Sequence, residues 1–196
     1  MPKIEVTGLV LAGGQGSRMG GVDKGLQPFR GKPMVAHALE RLAPQVDEVL
    51  INANRNVAEY GRFGPRVISD EIEGFAGPLA GFERGLAHAS GELVATVPCD
   101  SPFLPEDLVA RLRAAMDAAR ADLAVAKTGA QAHPVFCLMR RAVHGSLREF
   151  LASGQRKIDR WYAALHVVEV PFDDEAGAFV NINTREELAH LEPGGK

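Results

Sequence analysis

Cysteine is almost missing: Cys99 and Cys137 are the only two in 196 residues, so neither a disulfide framework nor a four-cysteine zinc site is available. The six histidines are scattered, and no His-Glu-x-x-His or close pair offers zinc a foothold. No apolar run approaches the ~18 residues that cross a bilayer. The opening Met1-Pro2-Lys3-Ile4-Glu5 puts an acid inside its short apolar run, unlike a secretion signal. Positive charge is not in excess either. The net charge is −3, so the basic face that nucleic-acid binding needs is not expected, although local basic sites remain open. Low-complexity linkers, internal repeats and charge blocks are lacking too. These absences predict a cytoplasmic protein with neither nucleic acid nor membrane as a partner.

What is present is an ordinary globular composition, 46% hydrophobic and 24% charged, in a chain long enough for one substantial core and short for two. Residues 1–196 are therefore read as a single domain. Short apolar runs alternate with helical spacing. Val6 to Leu11, Val49 to Ile51, Arg66 to Ile68 and Leu93 to Val97 read as strands. Met34, Val35, Ala38, Leu39 and Leu42 follow Pro33, which suits a first helical position. Pro78 opens a helix with Leu79, Phe82, Leu86 and Ala89 on one face. Glu106 and Asp107 begin another, at the end where the helix dipole favours acids. Its stripe is Leu108, Val109, Leu112, Ala115, Met116 and Ala119. Strands follow at 123–126 and 135–139, helices at 141–152 and 157–164, and strands at 167–170 and around 179–181. Thr184 and Glu187 form a capping box before a last helix. The pattern predicts a three-layer α/β fold, a mainly parallel sheet with helices on both faces. In such sheets ligands gather beyond the carboxyl ends of the strands, where Asn52, Asp70 and Asp100 all fall.

The first strand runs into Gly13-Gly14-Gln15-Gly16-Ser17-Arg18-Met19-Gly20-Gly21-Val22-Asp23-Lys24. Glycines let successive N–H groups converge on one anion, and Arg18 and Lys24 add full charge beside them. A Walker loop is excluded, because Gly25 follows Lys24 where Ser or Thr is required. The dinucleotide fingerprint fails as well: its third glycine falls on Met19, and Asn52 and Asn54 stand where an acid should end the second strand. The remaining reading is a polyphosphate loop of another kind, with a long surface turn as the bland alternative.

Leu11-Ala12-Gly13-Gly14, Ser17-Arg18-Met19-Gly20 and Asp23-Lys24 resemble the signature loop of the nucleotidyltransferases with a GT-A-like, Rossmann-like fold, and more narrowly the molybdenum cofactor guanylyltransferases. Cytidylyl relatives usually read Ala-Ala-Gly and Arg-Phe-Gly, where this chain has Ala12-Gly13-Gly14 and Arg18-Met19-Gly20. The resemblance extends through Gly77-Pro78-Leu79-Ala80-Gly81 and Cys99-Asp100 to Asn181-Ile182-Asn183-Thr184, where Arg185 replaces the family's proline. It implies transfer of GMP from GTP to the terminal phosphate of molybdopterin, with release of pyrophosphate; the alternatives are a cytidylyltransferase or sugar-phosphate nucleotidyltransferase of the same fold, or a non-catalytic GTP-binding protein. It leaves room for transient contact with molybdenum insertion proteins and acceptor molybdoenzymes.

Asp100 is the candidate ligand for Mg2+, which favours hard oxygens and takes one or two carboxylates beside phosphate and water. Its alternative role is to cap the helix starting near Pro105. Lys24 and Arg18 are candidates for neutralising triphosphate charge, with Arg18 alternatively shaping the loop. Leu11, Ala12, Gly13, Gly14, Asn52, Asp70, Gly77, Pro78 and Leu79 complete the candidate nucleotide site. Asp70 could accept from guanine N1 and N2, which are donors, or cap the turn beside Ser69. The first half, about 1–105, then holds nucleotide, and about 106–196 the acceptor. The resemblance assigns Asn181, Asn183 and the basic turn of Arg156 and Lys157 to the pterin and its phosphate; His133, which opens a strand before Pro134, is a further acceptor candidate whose alternative is a structural role.

Overall fold

The apolar run Val6–Leu11 forms β1, an inner strand whose side chains are buried on both faces. The computed structural model describes residues 4–13, 23–71 and 77–180. Around β1 stand β4 (Glu48–Asn52), β5 (Arg66–Ile68) and β6 (Leu93–Pro98), all parallel to it. The second half supplies β7 (Leu123–Thr128), β8 (Gln131–Arg140) and β9 (Val167–Pro171). The sheet order is β5-β4-β1-β6-β8-β7-β9, with β8 antiparallel to both β6 and β7, and β9 parallel to β7. The sheet is thus mainly parallel, reversed once by the β7–β8 hairpin.

Alternation of side chains along each strand divides the core into two sheets of contact. Val10, Ile51 and Val97 face α1 (Met34–Leu42) and α4 (Leu108–Ala119) through Val35, Leu39, Leu42, Leu112 and Met116. Leu9, Leu50 and Val94 face α3 (Pro78–His88), α5 (His144–Ala152) and α6 (Ile158–Tyr162) through Leu79, Phe82, Leu86, Leu147 and Trp161. This is the expected three-layer α/β arrangement. Each fully buried aliphatic or aromatic side chain contributes about 1.5–3 kcal/mol relative to exposure.

A polar brace locks the strands at the end remote from the candidate residues. Glu48 accepts from the Thr7 hydroxyl at 2.7 Å and from the Ser90 N–H and hydroxyl at 3.0 and 2.9 Å. Thr7 in turn accepts from the Gly91 N–H at 3.0 Å. The register of β1, β4 and β6 is pinned there, so their opposite ends emerge level.

Several local expectations are corrected. Pro33 precedes α1 instead of opening it: its ψ is 145°, and it pairs with Pro28 in a hairpin of β2 (Pro28–Phe29) and β3 (Lys32–Pro33). That hairpin turns on Arg30 and Gly31, both at positive φ (47° and 82°). The helix expected from Glu106 starts at Leu108, with Asp107 as its cap residue, and no acid lies in its first turn. Gln45 supplies the cap instead, accepting from the Val109 N–H at 3.0 Å. The segment 141–152 is a 3-10 turn (Arg141–Val143) followed by α5, and α6 is shorter than 157–164. The strand around 179–181 is not formed at its start, since Asp173–Phe179 is 3-10 helical. Helix α2 (Val57–Gly61) was not expected. The last helix and its capping box lie outside the described residues. Among those described, no helix is long and apolar enough to cross a membrane.

Candidate active site

Three strands end together and their extensions remain laddered. The Ala12 N–H donates to the Asn52 carbonyl at 2.8 Å, and the Cys99 N–H donates to the Leu11 carbonyl at 3.0 Å. Leu11, Ala12, Asn52 and the Cys99-Asp100 turn therefore occupy adjacent positions on the carboxyl edge of the sheet.

On the β4–β5 side, Asn52 is buried, 2% exposed. Its Nδ2 donates to Asp70 Oδ1 at 2.8 Å. Asn54, in the bend just after β4, donates to Asp70 Oδ2 at 2.7 Å and accepts from the Asp70 N–H at 2.8 Å. Both Asp70 oxygens thus take one amide donor, and a carboxylate oxygen has room for about one more. The backbone packs tightly around this cluster. A Cβ on Gly13 would stand 3.1 Å from Asn52 Oδ1 and from Asn54 Nδ2, and one on Gly81 only 2.6 Å from Asn52 Oδ1. Gly81 brings the first turn of α3 against the end of β4 at a distance no other residue permits. Gly77 precedes that turn at φ 65°, and Pro78 is exposed beside it, while the Leu79 side chain is fully buried in the core.

On the β6 side, Lys24 Nζ lies 3.5 Å from Asp100 Oδ2, with side chains 21% and 13% exposed. The carboxylate and the lysine of the glycine loop, 76 residues apart, form one ion pair. Burial pushes the Asp100 carboxyl above the ordinary aspartate range, and the Lys24 charge and hydrogen bond offset only part of that. A buried carboxylate this weakly compensated retains electrostatic demand for further positive charge. Among the described residues no group of three His, Cys, Asp or Glu is placed to hold a metal ion. That donor set suits an ion which takes one carboxylate and completes its shell with phosphate and water oxygens.

Sequence reasoning missed how Lys24 is carried. Asp23 Oδ1 accepts from the Tyr60 hydroxyl at 2.5 Å, and Oδ2 accepts from Asn56 Nδ2 at 2.9 Å. The only sequence signal was the Asp23-Lys24 pair itself. Tyr60 sits on α2 and Asn56 immediately precedes it, and the short length of that helix hid them.

Of the candidate acceptor residues, His133 reaches the same end of the sheet by a different route. Because β8 runs antiparallel to β6, its amino-terminal end, with His133, lies at the carboxyl edge of β1, β4 and β6. His133 stacks on Phe179, ring centroids 4.6 Å apart, and pairs with Thr128 Oγ1 at 2.8 Å. Burial pushes its imidazole below the usual histidine range. A register shift between Val125 and Ala126 bulges β8 there. The Tyr162 hydroxyl donates to the Pro134 carbonyl at 2.7 Å, tying α6 to the bulge. Arg156 is exposed, and its Nη1 donates to the Leu151 and Gln155 carbonyls at 2.8 and 2.7 Å, closing the end of α5. Gly14, Arg18, Asn181 and Asn183 lie outside the described residues.

Residues 8–169 match the model of the MobA-like NTP transferase domain. The chain is 54% identical over 189 residues to a molybdenum cofactor guanylyltransferase of Cupriavidus metallidurans, covering 94% of this chain and 93% of that one. It is 50% identical over 188 residues to a protein of the same name in Shewanella amazonensis, covering 96% of each. Among solved structures it resembles molybdopterin-guanine dinucleotide biosynthesis protein A of Archaeoglobus fulgidus, with a TM-score of 0.79 and 26% identity over 94% of this chain and 95% of that one. A CMP:2-keto-3-deoxy-manno-octonic acid synthetase complexed with CTP shares the fold alone, with a TM-score of 0.73 and 15% identity over 95% and 96% of the two chains.

Proposed function

Since the chain belongs to the family of MobA-like NTP transferase domains, we propose that it transfers GMP from GTP to the terminal phosphate of molybdopterin. An oxygen of that phosphate attacks the α-phosphorus of GTP and forms the new P–O bond. The bond from the α-phosphorus to the bridging oxygen of the β-phosphate breaks, and pyrophosphate leaves with the electron pair. No covalent enzyme intermediate is required, so positioning and charge neutralisation supply the catalysis.

The observation that carries this reading is the arrangement on one sheet edge. The Lys24–Asp100 pair follows β1 and β6, and the asparagine-held Asp70 carboxylate follows β5. Asp70 keeps two acceptor positions side by side, which suits the adjacent N1–H and N2–H donors of guanine. Adenine and cytosine each present a donor next to an acceptor there, leaving one carboxylate oxygen facing a lone pair. Lys24, with Arg18 from the glycine loop, shields the triphosphate from the incoming phosphate. Asp100 would hold Mg2+, which when bound neutralises charge on the transferring and leaving phosphates. His133, Arg156, Asn181 and Asn183 are assigned to the acceptor, with His133 neutral and held against Phe179.

The reading is tested by incubating the protein with molybdopterin, Mg2+ and each nucleoside triphosphate in turn, following pyrophosphate and the dinucleotide product. GTP is expected to exceed the other three. A higher rate with CTP, or with a sugar phosphate in place of molybdopterin, would overturn the assignment.

A further inference from the structure

The hydroxyl of Tyr60 touches the residue on each side of Lys24. It donates to Asp23 Oδ1 at 2.5 Å, and it occupies the space into which a Gly25 Cβ would project, where Cys99 Sγ would stand only 3.0 Å away. Tyr60 itself is fully buried, so its ring is a fixed support. The second Asp23 oxygen is taken by Asn56, held at φ 51°, a left-handed conformation that a non-glycine residue adopts at some strain. Gln27 Nε2 adds a longer bond to the Asp23 carbonyl at 3.3 Å. Lysine has a long stem that loses much rotamer freedom on being held. Here the side chain before it is hydrogen-bonded to a buried phenol, the glycine after it is packed against the same hydroxyl, and the ammonium ends 3.5 Å from Asp100.

We propose that Tyr60 and Asn56 are positioning residues which, through Asp23 and the close contact at Gly25, set the place of the Lys24 ammonium over Asp100. The inference rests on the reading of Lys24 as the cation that neutralises the triphosphate. Asp23 in this arrangement is an anchor: each of its oxygens accepts from a side chain of the β4–β5 connection.

The test uses Tyr60→Phe, which keeps the buried ring and removes only the hydroxyl. Asn56→Gly serves as the second variant, since glycine accepts the φ of 51° and the fold is retained. Each is made in the wild-type and Lys24→Ala backgrounds and assayed with MgGTP and molybdopterin. Misplacing a catalytic charge by a fraction of an ångström lowers turnover by roughly an order of magnitude. Tyr60→Phe is therefore expected to lower kcat about tenfold and Asn56→Gly about threefold, with the KM for molybdopterin within about twofold. In the Lys24→Ala background neither should lower kcat further. Equal fractional losses in both backgrounds, or wild-type turnover in Tyr60→Phe, would overturn the proposal. A second readout needs no substrate. The Lys24 13Cε resonance, assigned by its loss in Lys24→Ala, should move in both variants, and an unmoved resonance refutes the positioning role. If the wild-type protein formed no guanine dinucleotide, the proposed function would fail while that resonance still decided this inference.

Discussion

Replacing Asp100 by asparagine should abolish most of the activity without weakening the fold. Asp100 and Lys24 approach to 3.5 Å. At an effective dielectric of about 20, two unit charges at that distance attract by about 5 kcal/mol. Against this stands desolvation of two largely covered ions, several kcal/mol for each. The upward displacement of the Asp100 carboxyl shows which side prevails at the carboxylate: burial outweighs the lysine. A carboxyl whose folded value is raised contributes its stability at low pH, below its unfolded value near 3.8, and loses it as pH rises through the folded value. At neutral pH the charged form is therefore a net burden on the folded chain. Asparagine keeps the shape and removes that burden, so Asp100→Asn should melt at the wild-type temperature or slightly above it in metal-free buffer, within about 1 kcal/mol. Turnover should fall on the order of 10²–10³-fold, the usual loss when one electrostatic contributor to a transition state is removed. Thermal melts with and without MgGTP join the two halves. Wild type should gain stability from the ligand, as any ligand of the native state confers, and Asp100→Asn should gain much less. A variant that melts well below wild type without metal, or that retains a third of its turnover, would refute the reasoning.

Other substitutions probe other contacts. Gly25→Ala would force a methyl group against the Tyr60 hydroxyl and to within 3.0 Å of Cys99 Sγ, and should destabilise by about 1–3 kcal/mol while lowering turnover, as denaturant titration and the transferase assay would measure. Asp70→Asn converts an acceptor-only group into one that also donates, so the GTP-to-ITP preference in kcat/KM should collapse with little change in melting temperature; an unchanged ratio would remove Asp70 from base recognition. Glu48→Gln should lose about 1–2 kcal/mol at neutral pH, because hydrogen bonds to a charged group are replaced by weaker ones. Although burial raises it, the Ser90 N–H and the Thr7 and Ser90 hydroxyls bring the Glu48 carboxyl below its ordinary 4.5, so wild-type stability from this group is full above that value and lost as pH falls through the folded one. The variant's stability should be flatter across acid pH, which a series of melts would test.

The candidate site was partly visible in the chain before any fold was known. Asp100 was recognisable because it directly follows the buried run Leu93 to Val97, and Lys24 because it closes a glycine loop after another such run. Asn52 and Asp70 were recognisable for the same reason. Asn54 was on view only as a neighbour, since what distinguishes it is two hydrogen bonds to Asp70 across 16 residues. Tyr60 gave no signal at all. An aromatic residue in a polar stretch reads as filler until the turn that contains it is seen against Asp23 and Gly25. The hairpin of β2 and β3 was hidden because its strands are two residues long and carry no alternation to detect.

Local residue order alone settled that apolar runs become strands, that helices cover them, and that the polar residues closing those strands share one edge. Those outcomes depend on side-chain period and on the rule that parallel strands end on the same side. The tertiary structure alone decided the reversal at β8, the anchoring of Lys24 by Tyr60, and the pairing of Lys24 with Asp100. Each of these is a contact between segments far apart in the chain, and no spacing along a sequence encodes the direction in which two distant segments meet.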